Sequence, residues 1–195
     1  SWRRGIELAA SWNICPWLQV GGNMTLSANK IRGYTAYYEM YDNMNDWNYL
    51  GQHHVDFEKT DILMSPSFVG MASATLRPFA HMAGSLNSAY LTWNGKYVGR
   101  QFYDNTSSLD RSIPAYFVAD LSLGYEVPLR RSFAGAKDDK AGTLAFSFHV
   151  NNMFNHMYYA DAWLWRAYFQ QEDAYYSEIG IYPQAPVNFM FKVAY

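Results

Sequence analysis

Large apolar and small or polar residues alternate along seven stretches of this chain, and a period of two predicts β-strands. In "TLAFSFHVNN", Leu144, Phe146, Phe148 and Val150 fall on one face, and Ala145, Ser147, His149 and Asn151 on the other. "GIELAASW" sets Ile6, Leu8, Ala10 and Trp12 against Glu7, Ala9 and Ser11. "WLQVGGNMTLSANK" sets Leu18, Val20, Met24, Leu26 and Ala28 against Gln19, Asn23, Thr25, Ser27 and Asn29. "PSFVGMASATLR" puts Phe68, Ala72, Ala74 and Leu76 opposite Met71, Ser73, Thr75 and Arg77. "YFVADLSLGYEV" places Phe117, Ala119, Leu121, Leu123, Tyr125 and Val127 together, and "VNFMFKVAY" does the same with Val187, Phe189, Phe191, Val193 and Tyr195. The seventh stretch, "GSLNSAYLTWNGKYVGRQFY", alternates too irregularly to assign its faces.

The polar rows carry Asp120, Glu126, His149, Lys192 and many Asn, Ser and Thr, so they meet water. The apolar rows are nearly free of charge. Most stretches run about 8 to 12 residues, the length that crosses a hydrocarbon layer at a tilt near 45°. Aromatic residues gather at strand ends (Trp12, Trp17, Tyr103, Tyr116, Tyr125, Tyr195), where a membrane barrel carries its girdles. Short links, "NICP" and "PFAHMA", join strands on one side, whereas residues 33–65 and 159–182 form long connections. Antiparallel neighbours would put those two on the same, external side. The fold expected is all-β, a transmembrane antiparallel barrel. A soluble β-sandwich binding glycans or lipids alternates as well, but its wetted face is normally rich in Lys and Glu.

Composition sharpens this choice. Of 195 residues, 16% are charged and 18% aromatic, with 17 Tyr and seven Trp, an excess that suits a membrane interface better than an aqueous surface. No apolar run reaches the roughly 18–20 residues of a spanning helix. The mean hydropathy of −0.28 does not argue against a membrane, because lipid-facing and lumen-facing residues average out in a barrel. A net charge of −2 gives no basic stripe for nucleic acid. Cys15 is the sole cysteine and reads as a structural thiol. The chain opens in a strand without a leader, which points to a piece of a longer polypeptide. No Gly-rich phosphate loop, Ser/His/Asp order or metal-ligand spacing appears, so neither an enzyme nor a bound cofactor is expected.

Four segments resemble the closing strands of TonB-dependent outer-membrane receptors. They are Tyr97–Asn105 ("YVGRQFYDN"), Tyr116–Tyr125 ("YFVADLSLGY"), Val150–Tyr158 ("VNNMFNHMY") and the aromatic-terminated Pro183–Tyr195. "RRGIEL" at Arg3–Leu8 matches the family's strand openings. Met153 replaces a usual Leu, and Tyr195 a more frequent Phe. The resemblance implies about seven C-terminal strands of a barrel of about 22 strands with a plugged lumen, in the outer membrane of a Gram-negative bacterium. It further implies import of a scarce nutrient (a ferric siderophore or haem, alternatively a glycan) by energised plug movement. Implied partners are the rest of the barrel and its plug, the TonB complex, the barrel assembly machinery, membrane lipid and a surface lipoprotein. Phe191, Val193 and Tyr195 match the C-terminal signal read during assembly.

Ligand contacts are expected in the two long connections. Trp163, Trp165, Tyr168 and Tyr49 could stack on a flat ligand, although packing of the loops against each other is the plainer reading. His53 and His54 suit haem iron by chemistry, but adjacent residues of an extended chain point in opposite directions. No metal site is assigned. Arg130 and Arg131 are expected at a solvated basic tip.

Overall fold

The computed structural model describes all residues except Ala83 and 129–141. Its seven wall strands are β1 (Trp2–Cys15), β2 (Leu18–Tyr41), β4 (Phe68–Leu76), β5 (Tyr90–Val98), β8 (Tyr116–Pro128), β9 (Thr143–Asn151) and β12 (Asn188–Ala194). They pair antiparallel in that order in a sheet that curls into a half-barrel. These are the seven alternating stretches, including the irregular one. In β5, Leu91, Trp93, Gly95 and Tyr97 stand opposite Leu123, Leu121, Ala119 and Phe117 of β8 and so share the apolar face.

Register carries the apolar rows unbroken around the wall. Ile6, Leu26 and Phe68 are partners across β1, β2 and β4, and Leu76, Leu91, Leu123, Phe148 and Phe191 continue across β4 to β12. On the other face run Gln19, Thr75, Thr92, Ser122 and His149. Hydrogen bonds tie this polar face together, with Thr75 and Thr92 hydroxyls 2.9 Å apart and His149 held by Ser122 at 2.8 Å and Ser147 at 2.9 Å.

Among the described residues no protein layer covers the apolar face. Ile6 is 65% exposed, Leu26 50%, Leu123 53% and Phe191 65%, and Leu121 and Phe146 are only half-buried. A soluble sandwich would bury this row in its core, so that reading is overturned. From Leu18 to Ala28 the β2 strand rises about 33 Å. At a tilt near 45° this spans roughly 23 Å, close to the ~25 Å apolar band of membrane barrels. The face is lipid-facing, and the wall is transmembrane.

The packed interior lies elsewhere. Among the described residues the buried apolar side chains are Ala36, Val98, Ile113, Ala119, Ala167 and Phe169, with Asn29, Thr60, Arg111 and Asn152 among the buried polar ones. All sit in the upper part of the wall or above it, at the end that carries residues 42–67, 99–115 and 152–187. Residues 33–65, expected as a long loop, are mostly strand. β2 continues to Tyr41 and turns at 42–48 into β3 (Tyr49–Asp61), which pairs with it. Residues 159–182 likewise form a hairpin of β10 (Tyr159–Phe169) and β11 (Ala174–Pro183). Alternation in these segments is masked by rings on both faces. β6 (Gln101–Phe102) and β7 (Ser112–Ile113) make a small ladder beside them. Arg130 and Arg131 lie outside the described residues.

Candidate functional site

Above the wall, β10 pairs in parallel with the top of β2 through Ala167–Glu39, Tyr168–Met40 and Phe169–Tyr41. This makes a four-stranded upper sheet, β11-β10-β2-β3, with aromatic residues on both faces. On one face Trp47, from the 42–48 turn, stacks on Trp165 (6.2 Å between centroids, 11° between planes). Trp47 also meets Phe169 at 4.7 Å and Tyr176 at 5.6 Å edge-on, and Tyr41 and Tyr49 extend this cluster. Trp163 lies on the same face against Gly180, where a β-carbon would collide with the indole. On the other face His53 stacks on Tyr168 at 4.0 Å and hydrogen-bonds the Tyr175 hydroxyl at 3.1 Å.

The six aromatic and histidine candidates are thus all near one another but divided between two faces. Trp163, Trp165 and Tyr49 are on the first, with His54, which lies near Tyr37. His53 and Tyr168 are on the second. The histidines diverge as an extended backbone requires. Among the described residues no group of three or more His, Cys, Asp or Glu is placed to hold a metal.

The second face holds a group that the aromatic excess concealed. Arg166 lies over the Tyr175 ring at 4.0 Å and faces Tyr38 at 5.6 Å. Its Nε is buried without a hydrogen-bond partner among the described residues. Burial lowers its pKa, and the nearby Arg111 lowers it further. Burial also raises the pKa of Tyr38. A cavity of about 310 Å³ opens where β10 and β2 part below their pairing, lined by Tyr34, Tyr38, Asp104 and Arg166 together with Glu39 and Trp165 of the first face. The residue i, i+2 spacing of Leu164, Arg166 and Tyr168 was the available signal, and it becomes visible only once β10 is known to be a strand.

Two motifs brace this region. Asp104 accepts from Thr106 N (3.0 Å), Thr106 Oγ1 (2.6 Å) and Arg111 Nε (2.6 Å), which fixes the 99–115 connection around a buried guanidinium. Asn152, at φ +49°, donates Nδ2 to the carbonyls of His156 (2.9 Å) and Ala185 (3.1 Å). Its Oδ1 accepts from His156 N at 2.9 Å, while its backbone N–H reaches Asp120 Oδ1 at 2.8 Å. "DNTSSLDR" and "VNNMFN" are therefore turn-building sequences at the top of the wall.

The TonB-dependent receptor-like β-barrel family matches residues 1–153. The chain belongs to this family. Among solved structures, the ferric-catecholate import receptor Fiu of E. coli K12 is similar, at 13% identity and a TM-score of 0.42 over 98% of this chain. The chain spans 27% of that receptor's length. No curated protein matches. As a receptor wall, the sheet leaves the outer edges of β1 and β12 unpaired among the described residues.

Proposed function

We propose that this chain is part of an outer-membrane importer that takes up a scarce, bulky nutrient, with a ferric siderophore or haem as the ligand class. The receptor family supports import, and the two open edges call for further strands, because unpaired backbone groups in hydrocarbon cost several kcal/mol each. Ligand would be met at the upper rim, with energised plug movement carrying it inward. The observation that carries the ligand class is Arg166, a half-buried cation with an unpartnered Nε between two tyrosine rings beside a cavity. A flat or catecholate anion would stack on the rings and pair with the guanidinium. An uncharged glycan would use the rings but not the charge.

The test is uptake and equilibrium binding by the complete receptor of a ferric catecholate, haem and a neutral oligosaccharide, with Arg166→Gln alongside. Loss of roughly tenfold or more in binding of an anionic ligand, at unchanged receptor levels, is expected. Binding of the oligosaccharide alone, unaffected by Arg166→Gln, would overturn the anionic-ligand reading in favour of a glycan importer.

A further inference from the structure

β11 closes one side of the upper sheet and leaves its outer edge open. Among the described residues it pairs only with β10, so along Ala174–Pro183 every second residue turns its N–H and C=O away from a partner. Edge strands ordinarily discourage such pairing with Lys, Pro or a bulge. From Ala174 to Tyr182 this strand has none of them. Its register with β10 is unbroken there, Pro183 comes only at its end, and its single charged residue is Glu178.

The position of β11 keeps this edge clear of the wall. Lys30 of β2 is partnered by Trp2 of β1 on one side and Asp61 of β3 on the other. β10 pairs with β2 on the side that β3 leaves, so it stands above β1, and β11 one strand further out. A wall strand added to the outer edge of β1 would rise beneath β11 rather than beside its free edge.

The two faces beside the edge differ in chemistry. Residues 34–57 and 159–183 contain eight Asp and Glu but one cation, Arg166, on the second face. Pairing puts Glu39, Asp56, Asp161 and Glu178 on the first face, among exposed rings that include Tyr37, Tyr176 and Tyr182. The Tyr176 hydroxyl donates to Glu178 Oε1 at 3.3 Å. On the second face the edge presents Ile179 and Ile181, 43% and 51% exposed. Side chains of an added strand would alternate between these surfaces. A cation beside Glu178 gains a cross-strand ion pair and the neighbouring tyrosine rings, and apolar residues between cations cover the isoleucines.

We infer that β11 takes up an extended segment of a separate polypeptide as a fifth strand of the upper sheet, with Lys or Arg at every second position and apolar residues between. The inference does not rest on which nutrient is imported.

The test uses the complete receptor in nanodiscs and a synthetic peptide in which Lys and Val alternate, with binding read by fluorescence anisotropy and by amide hydrogen exchange. The peptide should slow exchange at alternate residues of β11. A peptide alternating Glu and Val should bind at least about tenfold more weakly. Of two peptides N-methylated at every Lys or at every Val, one should lose about tenfold or more and the other should keep its affinity, since only one set of N–H groups meets the edge. Glu178→Lys should weaken binding about tenfold and Glu178→Gln about threefold, whereas Lys96→Ser, on the wetted face of the wall, should not, all three at wild-type heat-modifiable mobility. Equal binding of the Glu and Lys peptides, or no difference between the methylated pair, would overturn the inference. So would β11 amides already protected at alternate residues in the peptide-free receptor, because the receptor then covers this edge itself. Displacement by free arginine at the peptide's own concentration would do the same, marking a small-cation site.

Discussion

Placing an arginine at Leu123 tests the assignment on which the transmembrane reading rests. Leu123 stands on the lipid-facing row of β8, between Leu91 and Phe148, and is 53% exposed. From Phe117 to Val127 that row rises about 33 Å along the strand, or roughly 23 Å across the membrane at 45°. Leu123 then falls within about 3 Å of the midplane, and Phe117 about 11 Å from it. Arginine on a lipid face costs about 2–4 kcal/mol at the midplane and about 0–1 near the interface. Leu123→Arg should therefore lower stability by about 3 kcal/mol and Phe117→Arg by less than about 1 kcal/mol. Ser122→Arg projects toward Thr92 and His149 on the wetted face, where the cost should stay within about 1 kcal/mol. The measurement is a denaturant titration of the complete barrel folded into vesicles, followed by heat-modifiable mobility. Equal costs at Leu123 and Ser122, or no difference between Leu123 and Phe117, would refute the reasoning, because neither a lipid face nor a depth gradient would then exist.

Asn152→Ala removes a buried amide that joins three segments, leaving the carbonyls of His156 and Ala185 and the His156 N–H without this partner. A loss of about 2–4 kcal/mol in local stability is expected, seen as faster proteolysis around residues 152–158. Asp42 has its pKa lowered by the Asn48 side chain, with the Asn43 and Asn48 backbone N–H groups acting in the same direction. A depressed carboxyl stabilises the 42–48 turn above the ordinary carboxylate range, and that contribution is lost as pH falls through the folded value. Amide exchange of this turn, extrapolated to a common intrinsic rate, should accelerate in acid, and Asp42→Asn should abolish the pH dependence. Deleting Tyr195, which is almost wholly exposed at the end of β12, should lower receptor levels in the outer membrane without changing ligand affinity, measurable by quantitative blotting beside a binding assay.

The wall was legible in the sequence because one physical condition, lipid on one side and water on the other, acts on every residue of a strand. Leu144, Phe146, Phe148 and Val150 reveal a strand without reference to any partner. The segment around Tyr90–Val98 was harder because Trp93 and Phe117 need Gly95 beside them, where the Trp93 indole occupies the space of a side chain. That glycine interrupts the apolar row in sequence but not in space. Register, which depends on neighbours, was needed to restore it.

The upper sheet hid for the opposite reason. Once β2 rises above the hydrocarbon, lipid no longer selects one of its faces and rings stand on both, so period-two contrast disappears although the strand continues. Tyr37, Tyr38 and Tyr41 are on opposite faces of one strand, yet their composition reads as an aromatic loop. His53 and His54 were separable by backbone geometry alone, whereas Arg166 acquires its character from Tyr175, across the β10–β11 hairpin, and from Tyr38 of β2, distant in sequence and brought to it by the parallel pairing of β10 with β2. A segment inside a uniform solvent boundary can be read one strand at a time. A cluster built where strands meet above that boundary is a property of pairing, which is why a choice made on rings and imidazoles took in Trp163, Trp165, Tyr168, Tyr49, His53 and His54 and left out the guanidinium of Arg166 that pairing sets among them.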